Sequence, residues 1–430
     1  MLIEFKVANF RSIREEQTFS LVAANADKEL PESVIDRELP GLSGVRFLKG
    51  AAIYGPNASG KSNVIKAVEF AVNFVLRSAT KLQPGDPTGA EPFKLDSASV
   101  REPSSFEMTF VAENTRFVFG FSITPQRVVE EYLVAYPKGS PQRWFHRTFN
   151  DEKGVYEWAK PSTAFKRDKS LEAKTRDNCL FLSVGPQFNH AQLTQVFHWF
   201  QTGVRFIHLS TDSLLLPGFT AELLSKERHV DRITNLLLSA DTGVISIGLK
   251  QEDVSVEDLR KNMPPALLAE LESEGPLKPG KRMELKLRHK TEGGEPVELD
   301  FNTEESAGTK RLFALAGPWA DILEQGYTVF VDEIETSLHP LLVKELLKLL
   351  FNTVTNPKAA QVVFSTHNPV LLDGSLLRRD QVWFTEKSPA GATHLYPLTD
   401  YQPRNTEALA KGYLAGRYGA IPFLPEGLKL

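Results

Sequence analysis

Apolar and polar positions alternate from the first residues of the chain. "LIEFKVANF" reads as a strand, and "RSIREEQTFSLVA" holds a second run that would pair with it. A polar stretch, "ANADKELPESVIDRELPGLSG", leads into "LKGAAIYGPNASGKSNVIKAVEFAVNFVLRSA". There Ala51 to Tyr54 is a buried strand, a glycine-bearing loop follows, and apolar residues then recur at helical spacing over Asn63 to Ser78. From Pro92 onward "SFEMTFVAENTRFVFGFSIT" and "RVVEEYLVAYP" alternate with turn residues between them, which predicts a β-meander with "GVYEW" as a candidate extension. Residues 160–275 read mainly as helices, among them "AQLTQVFHWFQTG" and "DRITNLLLSAD", closed by the Pro/Gly-rich "SEGPLKPGKR". "MELKLRHKTEGGEPVELDF" is a hairpin turning at Gly293 and Gly294. Strand and helix then alternate through "TVFVDE", "HPLLVKELLKLLFN", "QVVFSTH" and "DQVWFTE", the pattern of an α/β domain with a parallel core.

The expected organisation is therefore an α/β nucleotide domain split in two. Its N-terminal lobe is residues 1–90 and its C-terminal lobe 280–400, with a mixed β-meander and helical insertion at 91–279 and a tail at 401–430. A chain of 430 residues is long enough for more than one core, and 41% hydrophobic with 24% charged residues is an ordinary globular balance. A net charge of −4 supplies no global positive field to recruit nucleic acid or an anionic membrane. The one cysteine, Cys179, sits in the apolar "NCLFLSV" and reads as a buried, inert thiol of a reducing compartment. No signal-like N-terminus and no run of about 20 apolar residues is present, so a soluble cytoplasmic protein without a membrane role is expected.

The chemistry begins at Gly55. Gly55, Pro56, Asn57, Ala58, Ser59, Gly60, Lys61 and Ser62 satisfy G-x-x-x-x-G-K-[ST], between the predicted strand and the helix opened by Asn63. Backbone N–H groups of such a loop surround phosphate oxygens, the helix N-terminus adds partial positive charge, Lys61 reaches the β/γ-phosphates, and Ser62 offers a hydroxyl to Mg²⁺. The ligands implied are ATP and Mg²⁺. "TVFVDE" ends a buried strand in two carboxylates. Asp332 would hold Mg²⁺, and Glu333 would orient and deprotonate the attacking water, although an acidic pair after an apolar strand can also be mere surface. Lys61 and Asp332 are separated by more than half the chain, so something large lies between the halves of the site.

The order of "GPNASGKS", a long insertion, "ESAGTKR", "VFVDE" and "FSTHNP" resembles an ABC-type ATPase head, as in SMC, RecF and OLD proteins. That resemblance implies several roles. Ser306, Ala307 and Gly308 stand at the signature loop, which contacts the ATP held by a second protomer, while Ser306 would also cap its helix. His367 stands at the switch histidine, catalytic with Glu333 and Lys61, and Thr366 would help to position it. "SLHP", Ser337 to Pro340, stands at the loop that crosses the dimer interface, with His339 where transporter heads have aspartate. No glutamine is assigned to the Q-loop; Gln83 lies nearby in an unpersuasive context.

"NFRSIREEQTFSLVA", "ESAGTKRL", "DEIETSLHP" and the tail "YLAGRYGAIPFL" further resemble the RloA-type ATPases of bacterial defence islands, with AriA of the PARIS system a more distant relative. The resemblance implies an ATP-dependent homodimer, or a higher even-numbered assembly, that senses or regulates a separate effector, a nuclease or toxin, in anti-phage defence. Few residues follow His367 and they hold no D-x-D cluster, so no nuclease activity of its own is expected. The tail could dock a partner or cap the head. A competing reading is an SMC/RecF-like DNA-binding ATPase of repair or maintenance. It calls for long heptad arms or a basic groove, and "KLRHK", "AFKRDKSLEAKTR" and "SKERHVDR" are short or mixed in sign. Nucleic acid bound only by a dimer remains open, and so does a catalytically dead scaffold.

Overall fold

The computed structural model describes residues 1–208, 216–240, 242–336, 338–404 and 408–422. The chain divides into two compact units, Met1–Leu209 with Ile322–Thr336 and Val343–Leu430, and Ser210–Asp321 with Ser337–Leu342. Residues set apart above as an insertion are thus shared: 91–209 fall in the first unit and 210–279 in the second.

Two large sheets build the first unit, beside a small antiparallel pair, Val34–Ile35 with Phe47–Leu48. One is parallel in its first five strands, ordered Val204–His208, Thr328–Asp332, Gln361–Ser365, Gly50–Tyr54, Val382–Lys387, with Thr393–Pro397 added antiparallel at the edge. Gly50–Tyr54 and Gln361–Ser365 are buried at every position, as strands covered on both faces must be, which is why their centres read as apolar without alternation. The other sheet is antiparallel: Val155–Trp158, Gln142–Asn150, Val128–Tyr136, Thr115–Ile123, Ser104–Ala112, Leu2–Ala8, Gln17–Ser20. The meander therefore continues the sheet that the N-terminal strand begins, Phe5 lying opposite Met108 and Val7 opposite Phe106.

Helix Lys61–Arg77 presents Val64, Ile65, Val68, Ala71, Val72 and Val75, all buried, to a core shared with Phe5, Phe106, Phe121, Phe330 and Val363. Rings interlock there, Phe10 with Phe70 at 5.3 Å and Phe106 with Phe121 at 5.1 Å between centroids. Burying this helix against strands from both ends of the chain holds the phosphate loop beside the sheet's carboxyl edge.

The second unit carries a three-stranded antiparallel sheet, Val244–Val254, Gly280–His289 and Val297–Asp300, with Gly294 at φ 87° in the expected hairpin turn. Helical expectations for 160–275 need correcting at two places, because Val204–His208 and Val244–Val254 are strands. Val204–His208 is a short edge strand broken by Arg205 and His208, and Val244–Val254 is largely exposed, so neither carries a clear apolar period. No helix of the described residues is long and apolar enough to cross a membrane.

Candidate nucleotide site

The phosphate loop leaves strand Gly50–Tyr54 and turns into helix Lys61–Arg77, with Gly60 at φ 112° and Ala58 at φ 63°. Glycine is required twice for want of space. A Cβ on Gly55 would lie 2.5 Å from the Thr385 carbonyl oxygen, and one on Gly60 2.1 Å from Thr393 Oγ1. Strands Val382–Lys387 and Thr393–Pro397 brace the loop from below: Ser59 Oγ shares a hydrogen bond with Thr385 Oγ1 at 2.6 Å, and Thr393 Oγ1 donates to the Ser59 carbonyl at 2.9 Å. Pro56 is half-buried, whereas Asn57 and Ala58 are exposed at the crest.

Lys61 is buried, and its Nζ donates back to the carbonyls of Gly55 at 2.7 Å and Pro56 at 3.2 Å. Burial pushes its pKa down, against the pull of Glu333, Glu335 and Asp332. Ser62 Oγ donates to Asp332 Oδ1 at 3.1 Å, so the motif residues predicted to share a metal meet although the chain separates them widely. A hydroxyl and a carboxylate are hard oxygen donors, and their juxtaposition fits Mg²⁺.

Asp332 ends strand Thr328–Asp332, and Ser365 Oγ donates to its Oδ1 at 2.5 Å. The same Ser365 hydroxyl accepts from the Glu333 N–H at 2.7 Å. Glu333 is exposed and stands at φ 52°, a left-handed conformation that a non-glycine residue keeps only where its surroundings impose it. His367 lies beyond strand Gln361–Ser365, its side chain mostly exposed and its ring against Glu335. Thr366 Oγ1 accepts from the Asn368 N–H at 3.0 Å, and Thr366 N–H donates to the Ile53 carbonyl, so Thr366 fixes the backbone on either side of His367.

Ser306, Ala307 and Gly308 open helix Ala307–Gln325 and belong to the second unit. Ser306 Oγ accepts from the Thr309 N–H at 3.1 Å, the capping bond expected. Ser306 and Ala307 are exposed and Gly308 half-buried. Ser337 lies outside the described residues; His339 is exposed, its Nδ1 facing the Leu341 N–H at 3.3 Å. Gln83 sits in an exposed turn with its N–H on Asp86. Cys179 is buried, and burial pushes its thiol up, consistent with an inert role.

Several contributors escape a reading of the sequence: Ser365, Glu335, Thr385, Thr393, and Ser12, whose Oγ accepts from Asn63 Nδ2 at 2.6 Å and shares a bond with Thr393 Oγ1. Beside Asn63 opens a cleft of about 300 Å³ lined by Arg11, Ser12, Glu91, Lys94 and Lys387 among others. Among the described residues of the tail, Tyr413 and Tyr418 pack on the head. Tyr413 and Tyr418 stack on Phe384 at 5.7 and 6.0 Å, and Tyr396 Oη donates to the Tyr418 carbonyl.

A family model described as "AAA domain, putative AbiEii toxin, Type IV TA system" matches residues 51–373. No curated protein matches the sequence. Among solved structures, an SMC head bound to the C-winged helix domain of ScpA is similar at 13% identity and a TM-score of 0.40, over 92% of this chain and 96% of that one. The SMC head domain from Thermotoga maritima is similar at 13% identity and a TM-score of 0.39, over 92% and 98%.

Proposed function

The chain belongs to this AAA-domain family, an ATP-binding protein of it, and from that premise we propose that it hydrolyses ATP at a site completed by a second copy. The observation that carries the proposal is the meeting of Ser62 with Asp332 at 3.1 Å beneath a phosphate loop that no larger residue than glycine could form at positions 55 and 60. Ser62 and Asp332 would hold Mg²⁺, which when bound supplies positive charge against the phosphates. Residues Gly55 to Asn63 cradle the triphosphate, and Lys61 exchanges its two loop carbonyls for β/γ-phosphate oxygens. The nucleoside lies toward the cleft beside Asn63. Glu333 takes the proton of the attacking water and His367 faces the γ-phosphate.

The helix N-terminus at Ser306, Ala307 and Gly308, with Ser306 and Ala307 exposed, supports a contact made in trans, to the nucleotide of a partner copy. Binding ATP then closes a homodimer and hydrolysis reopens it, a two-state element that a separate effector can read. We place that effector, a nuclease or toxin, in an anti-phage module; the family description names a putative AbiEii toxin of a type IV TA system, which is in keeping with a toxin among the partners.

Glu333→Gln is expected to retain ATP and to double in mass by light scattering when ATP is added. Hydrolysis by this variant at the parent rate would remove Glu333 as the base. Ser306→Arg is expected to bind ATP normally as a monomer and to lose hydrolysis; loss of binding as well would contradict a signature acting in trans. Gel shifts with and without ATP separate this reading from a DNA clamp. Phage challenge of cells expressing the chain with and without the product of the adjoining reading frame tests the effector.

A further inference from the structure

The sequence "DEIETS" carries a second glutamate that no motif uses, Glu335. Its Oε1 accepts from the His367 main-chain N–H at 2.9 Å and lies 3.1 Å from His367 Nδ1. The Glu335 side chain is 9% exposed and that of His367 59%, so a buried carboxylate grips an exposed ring from beneath. Both residues are set by their backbones. The Ile334 N–H donates to the Ser365 carbonyl at 3.2 Å, which aligns the turn after Asp332 with the end of strand Gln361–Ser365.

We propose that Glu335 is a positioning residue for ATP hydrolysis, fixing the orientation of His367. Nδ1 faces the carboxylate, which turns Nε2 to the exposed side; with a hydrogen on each ring nitrogen, Nε2–H would donate to a γ-phosphate oxygen while Nδ1–H stays toward Glu335. The single oxygen that faces the ring also accepts from the ring's own main-chain N–H.

What Glu335 gives to the fold alone does not account for it. Its other oxygen, Oε2, is buried without a hydrogen-bond partner, and so is the hydroxyl of Tyr54. The two are near enough that the Glu335 charge adds to burial in raising the Tyr54 phenol. An under-satisfied buried carboxylate costs stability. Orienting the histidine is a role that fits so costly a placement, as carboxylates orient metal-binding histidines elsewhere.

This inference rests on His367 facing the γ-phosphate, and the experiment separates the two. Steady-state hydrolysis and ATP affinity are measured on the full chain for His367→Ala, Glu335→Ala, Glu335→Gln and the His367→Ala/Glu335→Ala pair. Glu335→Ala is expected to lower kcat by roughly ten- to a hundredfold with ATP affinity unchanged. The pair should be no slower than His367→Ala alone, because both changes remove one function. Glu335→Gln keeps an oxygen acceptor at the same reach and should recover most of the rate; it also serves if the alanine variant folds poorly. A slow His367→Ala beside a parent-rate Glu335→Ala would overturn the positioning role, as would losses that multiply in the pair, or a glutamine variant as slow as alanine. A parent-rate His367→Ala would remove the switch reading, and this inference with it.

Discussion

Lys61→Met is expected to lose ATP binding by at least about a hundredfold while folding as well as the parent. In the structure Lys61 Nζ makes two hydrogen bonds, to the carbonyls of Gly55 and Pro56. Phosphate oxygens would replace both with charge-assisted bonds, each worth about 1.5–3 kcal/mol, and every 1.4 kcal/mol is tenfold in Kd. The empty fold has the opposite preference. Burial pushes the Lys61 pKa down, so the free protein holds this charge at a cost that bound phosphate offsets. Methionine matches the stem and drops the charge. Titration of a fluorescent ATP analogue reads the first effect, and thermal unfolding without nucleotide reads the second. A variant that unfolds markedly earlier than the parent would mean that Lys61 supports the loop itself.

How much of this site was legible depends on how local each contact is. Gly55 to Ser62 could be read directly, because one strand, one loop and one helix start supply nearly everything a phosphate needs. Asp332 and Glu333 were legible as the end of an apolar strand. Their braces were not. Ser365 serves Asp332 from the neighbouring strand, and Thr393 serves Ser59 from the far end of the chain, through single hydroxyls that leave no pattern in their own segments. Glu335 is one acid among several in "VDEIET", and only the fold shows that it is buried and turned toward His367. The parallel core was anticipated from its uniformly apolar strands, whereas Val204–His208 was not, since an edge strand need bury only part of itself.

The same contrast marks Glu131. Along "VVEEYLVAY" the inward positions should be apolar, yet Glu131 is fully buried. The reason lies on the adjacent strand, where Arg147 is its direct cross-strand partner and donates to it at 2.8 Å. Two more donors reach the same carboxylate, the N–H groups of Phe181 at 2.7 Å and Leu182 at 3.0 Å. Ser183, in the same short helix, donates to the Val75 carbonyl of the phosphate-loop helix, and the Ser78 hydroxyl just beyond that helix donates to Ser183 and accepts from the Leu180 N–H. The meander is thereby tied to the element that carries Lys61 and Ser62.

Arg147→Met is therefore expected to destabilise the protein by about 3–5 kcal/mol, the range for stripping one partner from a buried ion pair. The pair itself adds little net stability, because burial raises the Glu131 carboxyl while Arg147 draws it back. The loss in the variant comes from a carboxylate left charged in the core. Two consequences follow from that cause. With Arg147 gone the Glu131 pKa rises further above its unfolded value, so the deficit is smallest in acid and grows as pH climbs through the raised pKa. Urea unfolding at acidic and neutral pH should show this widening gap. Glu131→Gln added to Arg147→Met removes the charge and keeps an acceptor for an N–H of Phe181 or Leu182, so the double variant should be more stable than Arg147→Met alone. A double variant as unstable as the single one, at every pH, would trace the loss to the Cys179 carbonyl that Arg147 serves and to packing against Tyr156 and Trp158, whose rings the guanidinium overlies at 4.8 and 5.8 Å, and not to charge.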